Sequence, residues 1–414
     1  MPILDLRKYR AYILAFVAFV YLHSLQYFNY VKLNTTTYGR LSFLLAAFII
    51  LLCFFSKSPK TIPGRYWMLG ILLVPVLSFL PCWLENGQSP LDSVRVYVPA
   101  FVGLTYFLLY QAKIKERDIV TLITVLAVIR TVINIIQQFT FPDYLFCYRP
   151  EGLDAGGYFK DIEIRSGIYR YAIEDTYLSM FLVFYYFRRM LKGVSAMNVG
   201  LFLFGLVGVY LDQTRQLMLS TFLALVLVVL FSVRFKQKWI ILGIIGILVG
   251  FVVINSDILL GDLIYITNSD LNYGNIRLVA YTTYLVEFWG GPLSVVFGNG
   301  PVNWNSSYGE QIAYYQENLR LYRSDIGIVG AANMYGIVTV VFLLAFLVFY
   351  VFRNWKKFRI HIKMFYIAMI INLPMICFFT QHYHWLMFLG FMMYFGDNDI
   401  KYYNRRMAGQ QALK

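Results

Sequence analysis

The sequence predicts an all-α polytopic integral membrane protein, and three observations predict it. Hydrophobic residues make up 59% of the 414-residue chain and charged residues only 14%. Soluble globular chains carry about 25% charged residues, so this one has too little charge to cover a water-facing surface. Apolar runs approaching the roughly 20 residues needed to cross a bilayer recur along its whole length. Lysine and arginine concentrate in alternate loops between those runs, as the positive-inside rule describes. Aromatic residues at 19% suit interfacial belts.

Twelve spans are expected, at 10–30, 38–55, 66–83, 95–111, 119–139, 176–191, 197–212, 217–233, 238–256, 325–352, 363–380 and 382–396. The first is preceded by Arg7, Lys8 and Arg10, is too long for a signal-peptide core and has no small-residue cleavage site, so it reads as a retained helix. Pro75 interrupts the third. The loops after the second, fourth, sixth, eighth and tenth spans and the two tails hold 24 of the 36 basic residues but 5 of the 22 acidic ones. Both termini are therefore expected in the cytoplasm, and the net charge of +14 follows from topology rather than from nucleic-acid binding. The chain reads as one membrane domain, 1–414, with two long outer loops at 140–175 and 257–324. Within the second, 275–289 has helical apolar spacing and meets a stop at Gly290-Gly291-Pro292, as expected of a helix lying flat on the membrane face.

The outer loops gather arginines: Arg149, Arg165, Arg170, Arg215, Arg277, Arg320 and Arg323. A guanidinium is a planar fork that matches phosphate oxygens and stays charged at any working pH. Pairing with outer carboxylates or lipid headgroups is the plainer explanation for any one of them. Three stretches single out members. Arg165-Ser166-Gly167 precedes the sixth span. Asp212-Gln213-Thr214-Arg215-Gln216 joins two closely spaced spans, where an unpaired charge is costly and usually functional. Asn275-Ile276-Arg277 is followed by Gly298-Asn299-Gly300, whose glycines allow close backbone approach, and then by Ser324-Asp325-Ile326-Gly327 opening the tenth span.

In this order the motifs resemble those of the O-antigen polymerase and O-antigen ligase superfamily of bacterial membrane glycosyltransferases, over nearly the whole chain. The resemblance implies a GT-C-like bundle of about twelve transmembrane helices with a helical outer cap. It implies transfer of a glycan from undecaprenyl diphosphate on the outer face of the bacterial plasma membrane, without metal, nucleotide or other cofactor, making O-antigen or capsular polysaccharide. It also implies that Arg165, Arg215 and Arg277 surround the diphosphate, with Arg215 catalytic and Arg323 and Arg170 as further candidates. A flippase and a chain-length regulator of the same pathway are the expected partners, beside membrane lipids and the lipid-linked oligosaccharide. The ligase branch carries His-Asn before its late helix, and here that place reads Leu321-Tyr322-Arg323-Ser324-Asp325. This favours the polymerase over transfer to lipid A-core. A flippase or transporter is the rival from another class, since twelve spans suit it equally.

Asp325 is the first candidate for the base that accepts a hydroxyl proton, with Glu174 and Asp175 behind it. All three also suit a helix N-cap. Arg130, Asn134, Gln137 and Gln138 share one helix face, to line a donor path or to knit helices together. His382 and His384 lack a third ligand for a metal. Asp397 and Asp399 mimic a metal-binding Asp-x-Asp but fall in the basic tail away from the arginines. Cys82 and Cys147 are positioned outside, for a disulfide or as free thiols. Tyr158, Tyr169, Tyr171, Trp304, Tyr308, Tyr314 and Tyr315 are candidates to stack on sugar faces, or else to pack the loops.

Overall fold

The computed structural model describes residues 4–24, 35–57, 59, 61–140, 164–165, 168–169, 176–212, 214–232, 276–379 and 384–411. The described chain is a helical bundle: α1 Arg10–Ser24, α2 Thr35–Phe55, α3 Arg65–Leu84, α4 Pro90–Gln111, α5 Glu116–Thr140, α6 Thr176–Met190, α7 Ala196–Leu211 and α8 Arg215–Ser232. It continues with α9 Ile276–Thr282, α10 Pro292–Phe297, α11 Ser307–Ala313, α12 Arg323–Phe352, α13 Ile360–Asn372 and α14 His384–Gln411. A two-residue antiparallel ladder pairs Ile164–Arg165 with Ile168–Tyr169.

Four helices, α3, α4, α5 and α12, are long and apolar enough to cross a membrane, and shorter apolar helices accompany them. Eleven of the twelve expected spans overlap described helices; 238–256, and residues 25–30, 233, 380 and 382–383 of other expected spans, lie outside the described residues. Two bounds differ notably. The helix expected to reach 380 ends at Asn372, and the last helix continues to Gln411 instead of stopping near 396.

Local chemistry sets several starts. Ser89 precedes Pro90, its hydroxyl accepts from Asp92 N at 3.1 Å, and α4 begins there rather than at 95. Ser195 and Ser306 cap α7 and α11 in the same way. In α3, Pro75 cannot donate to the helix ladder, and Val74–Ser78 tightens into a 3-10 turn.

α6 and α7 form a hairpin that packs closely because Gly205 and Gly208 face it. A β-carbon at Gly205 would press on Leu182 and on the backbone of Val183. Against this hairpin lies the polar stripe of α5. Arg130 is fully buried, and its Nη2 meets Asp212 at the end of α7 at 2.5 Å while Nη1 donates to Ser179 of α6 at 3.1 Å. Of the two roles left open for the stripe, Arg130 fills the helix-knitting one.

α12 is broken. Gly336 has φ 81° and ψ 166°, which interrupts the helix. Irregular backbone in an apolar helix persists only where other groups satisfy the freed carbonyls. The Gly298-Asn299-Gly300 loop supplies them: Asn299 N donates to Asn333 O at 2.9 Å and Gly300 N to Met334 O at 2.8 Å. Gly298 and Gly300 also have positive φ, and β-carbons at Gly298 or Gly336 would overlap the opposing backbone. Gly336→Ala is therefore expected to lower the melting temperature markedly, by about 1–3 kcal/mol for the backbone conformation alone plus the clash. An alanine variant that melts like wild type would show the loop is not tightly docked.

A second polar layer lies at the other end of the bundle, where α3 begins and α4 and α12 end. Asp397 and Asp399, expected in an ordinary basic tail, are buried there. Asp397 accepts from Tyr106, from Tyr110 at 3.0 Å, from Tyr350 at 2.8 Å and from Gly64 N at 3.1 Å. Its lone pairs are taken by phenols and an amide, because α14 continues past 396 and carries it into the core. Arg359 closes the layer with ion pairs to Glu116 and Asp399.

Candidate functional site

At the end of the bundle where α3 stops and α12 starts, residues 276–322 form a cap. α9, continued by a π-turn over Thr283–Glu287, turns Ala280 and Tyr284 inward onto Tyr308, Ile312, Leu321 and Ile326. Leu278, Val279, Leu285 and Val286 are exposed on its other side, each at 52% or more. This apolar outer face suits the helix expected to lie along a membrane surface.

Polar side chains from the α3–α4 turn fix the cap. Gln88 Nε2 donates to Pro301 O at 2.8 Å, and its Oε1 accepts from Asn303 N at 2.8 Å and Ser306 Oγ at 3.1 Å. Asn86 reaches Asn299. Glu85 accepts from the first turn of α10: Leu293 N at 2.9 Å, Ser294 N at 2.8 Å and Ser294 Oγ at 2.5 Å. Burial pushes the Glu85 carboxyl up, but these three donors outweigh it and hold it below its ordinary value. A depressed carboxyl adds stability that is present above its unfolded pKa and lost as pH falls through the folded one. Wild type should therefore melt higher than Glu85→Gln near pH 7, and the gap should close in acid below about pH 4. A gap independent of pH would show that the charge contributes nothing.

Arg323, at the opening turn of α12, is 1% exposed. Nη1 donates to Tyr308 Oη at 2.8 Å and to Asn333 Oδ1 at 3.4 Å, and the guanidinium lies 5.8 Å from the Tyr308 ring centre. Burial pushes the Tyr308 phenol up to about 12 although Arg323 pulls it down, so it remains neutral. Asn333, at the break in α12, donates to Tyr284 O at 2.9 Å and Phe288 O at 2.7 Å. Arg323 thus ties cap to broken helix. Among the described residues it makes no ion pair, and its Nε has no hydrogen-bond partner. It is a buried positive charge that favours anions at this end of the bundle.

Three arginine-bearing segments meet at residues 371–376, the end of α13 and the turn that follows it. Gln216, next to Arg215 at the start of α8, donates to Ile371 O at 2.9 Å. Arg277 Nη1 approaches Met375 Sδ at 4.0 Å, and Tyr281, one turn along α9, donates to Pro374 O. Ile328 N, just past the Arg323 turn, donates to Leu373 O at 2.8 Å, and Gly327 lets the two backbones touch. Arg215 and Arg277 are both half-buried. At the centre, Asn372 is fully buried and its amide has no hydrogen-bond partner among the described residues.

Of the other expected site residues, Asp325 is exposed and accepts from Ser324 Oγ at 3.2 Å. It is not the helix cap: Ile326 precedes the regular turns of α12, with no side-chain cap. Arg165 is described only through its backbone, paired with Ile168, and Arg170, Glu174, Asp175, Tyr158, Tyr171, Cys147 and His382 lie outside the described residues. Trp304 and Tyr314 are 57% and 55% exposed, free to meet a sugar face. Tyr308 and Tyr315 pack the cap instead. Sequence reasoning missed Glu85, Gln88, Asn333 and Asn372. The available signal was a polar residue inside or at the end of an apolar run, which by default has a partner or a function. No family model matches the sequence, and no curated protein and no solved structure matches the chain.

Proposed function

We propose that the chain is a membrane glycosyltransferase that polymerises undecaprenyl-diphosphate-linked oligosaccharide repeat units on the outer face of the bacterial plasma membrane. The observation that carries this reading is the meeting of the Arg215, Arg277 and Arg323 segments around residues 371–376 at one end of the bundle. In the reaction an acceptor sugar hydroxyl attacks the anomeric carbon of the donor. A carbon–oxygen bond forms, the bond to the diphosphate oxygen breaks, and undecaprenyl diphosphate leaves with the electron pair. Arg215 and Arg277 neutralise charge as it gathers on the leaving diphosphate, and the buried charge of Arg323 adds to the field. Asp325, exposed beside that turn, takes the hydroxyl proton. Trp304 and Tyr314 offer exposed rings for sugars. Arg165 joins the diphosphate shell on the resemblance of its motif.

The flippase reading needs charges lining a path through the membrane depth. The deep charge described here, Arg130, is held by Asp212. That favours transfer chemistry at one face.

The reading requires the cap outside and the Arg359 end inside. A topology reporter fused after Tyr273 is expected to read outside, and one after Lys357 inside. A cytoplasmic signal at 273 overturns outer-face transfer.

A further inference from the structure

The end of the bundle opposite the cap carries a cleft of about 770 Å³. It lies between α6, the α12–α13 connection and the last turns of α14. Arg188, Lys192, Lys357, Arg359 and Arg406 line it, against two carboxylates, Glu116 and Asp399. Both carboxylates are engaged by Arg359, which also donates its backbone N–H to Asp399 Oδ2 at 2.8 Å. The remaining four cations make no ion pair among the described residues. Five positive charges against two negative ones leave an excess of three in one cleft.

Positive residues on an exposed surface are ordinary, and cations spread themselves apart in water. Here four stand around a cavity already furnished with its own arginine–carboxylate lattice. Arg359 is three-quarters buried, and Asp399 and Glu116 hold it in place, so its guanidinium is a fixed, preorganised charge rather than a mobile one. Arg188 sits on the last turn of α6, where its long side chain reaches the same wall. The volume falls in the roughly 300–1,000 Å³ range of small-ligand sites, larger than a lone chloride or a single phosphate requires. Arginines with lysines around a concave site, with the local acids already committed, match the charge and geometry of phosphate oxygens.

We propose that this cleft binds a ligand bearing at least two phosphate charges, at a site separate from the transfer chemistry and at the opposite end of the bundle. The shared chemistry is a phosphate group, carried by an anionic lipid headgroup or by a soluble phosphorylated compound. Lys192 and Arg406 are exposed at the rim and Arg188 and Arg359 line the wall. The site stands whichever membrane face this end occupies.

The test uses the full-length protein in phosphatidylcholine nanodiscs. One arm titrates inorganic pyrophosphate by calorimetry. The other adds cardiolipin, whose headgroup carries two phosphates, to the discs and counts lipids retained after detergent extraction by native mass spectrometry. The site variant is Arg188→Gln with Lys192→Gln. The control is Lys113→Gln with Lys115→Gln, which removes the same charge from exposed positions off the cleft. Wild type and control should bind at least one probe, and the site variant should bind it roughly tenfold more weakly. Saturable pyrophosphate binding identifies a soluble ligand; selective lipid retention alone identifies a headgroup. If the site variant does not fold, Lys192→Gln with Arg406→Gln takes its place, since both side chains are exposed. Wild type that binds neither probe overturns the proposal. So does an equal loss in site variant and control, which would reduce the effect to bulk positive charge.

Discussion

Replacing Arg215 or Arg277 by alanine is expected to cut polymer formation by about 30- to 1000-fold, with single repeat units accumulating and the melting temperature near wild type. A charge-assisted contact to a diphosphate in a water-poor cleft contributes roughly 2–4 kcal/mol to the transition state, which converts to that range of rates. Both side chains are half-buried, Arg277 approaches Met375, and Gln216 beside Arg215 donates to Ile371 O, so both segments adjoin residues 371–376 and neither arginine is sealed in the core. Lysine at 215 should restore little. It keeps the charge, but a point ammonium does not reproduce the two parallel donors of the guanidinium. Full polymer length from Arg215→Lys would reduce Arg215 to a bulk charge. A large fall in melting temperature in the alanine variants would make both residues structural.

Arg130→Ala is expected to act in the opposite sense, destabilising the fold by about 3–5 kcal/mol whatever its effect on activity. Arg130 is fully buried on α5, and its removal takes the countercharge from Asp212 at the end of α7, itself 5% exposed. A loss of that size is a large share of the roughly 5–15 kcal/mol that holds a domain folded. Arg130→Met combined with Asp212→Leu should recover most of it, because both charges of the pair are then removed together. Comparable melting of Arg130→Ala and wild type, followed by circular dichroism in detergent, would show that the pair does not knit α5 to α7. Arg323 differs from Arg130 in having no carboxylate among the described residues. Truncating it strands no buried anion, so its loss should disturb the cap more than the bundle.

Helices were legible because apolar runs and their capping signals are local. Expected span 119–139 lies within Glu116–Thr140, and of the expected helix 275–289 the described residues are helical from Ile276 to Glu287, ending just before the Gly290-Gly291-Pro292 stop. The glycines of Gly298-Asn299-Gly300 announced a close approach of backbones, and the structure brings them onto α12. What they approach was not legible. The break at Gly336 is paid for by donors from Asn299 and Gly300, more than thirty residues earlier in the chain, and no local pattern records that debt. The burial of Asp397 was hidden for a similar reason. Its phenol partners come from α4 and α12, while the hydropathy of α14 falls away just before it. Arg130 and Asp212 were each visible as polar residues at membrane-helix positions, but their pairing joins segments about eighty residues apart. Arg215 and Arg277 were singled out by their motifs. The neighbour their segments share, the 371–376 stretch at the end of α13, carries no charge of its own and gave no sign in the sequence.

The central claim, transfer chemistry on a lipid diphosphate at the capped end, is tested most directly with purified protein in detergent. Lipid-linked repeat units are supplied, and product length is read on a gel. No membrane crossing is needed under those conditions, so a flippase has nothing to do. The account predicts polymer from wild type and single unreacted units from Arg215→Ala and Arg277→Ala at unchanged melting temperature. Well-folded wild type that leaves the correct lipid-linked units unreacted would contradict it.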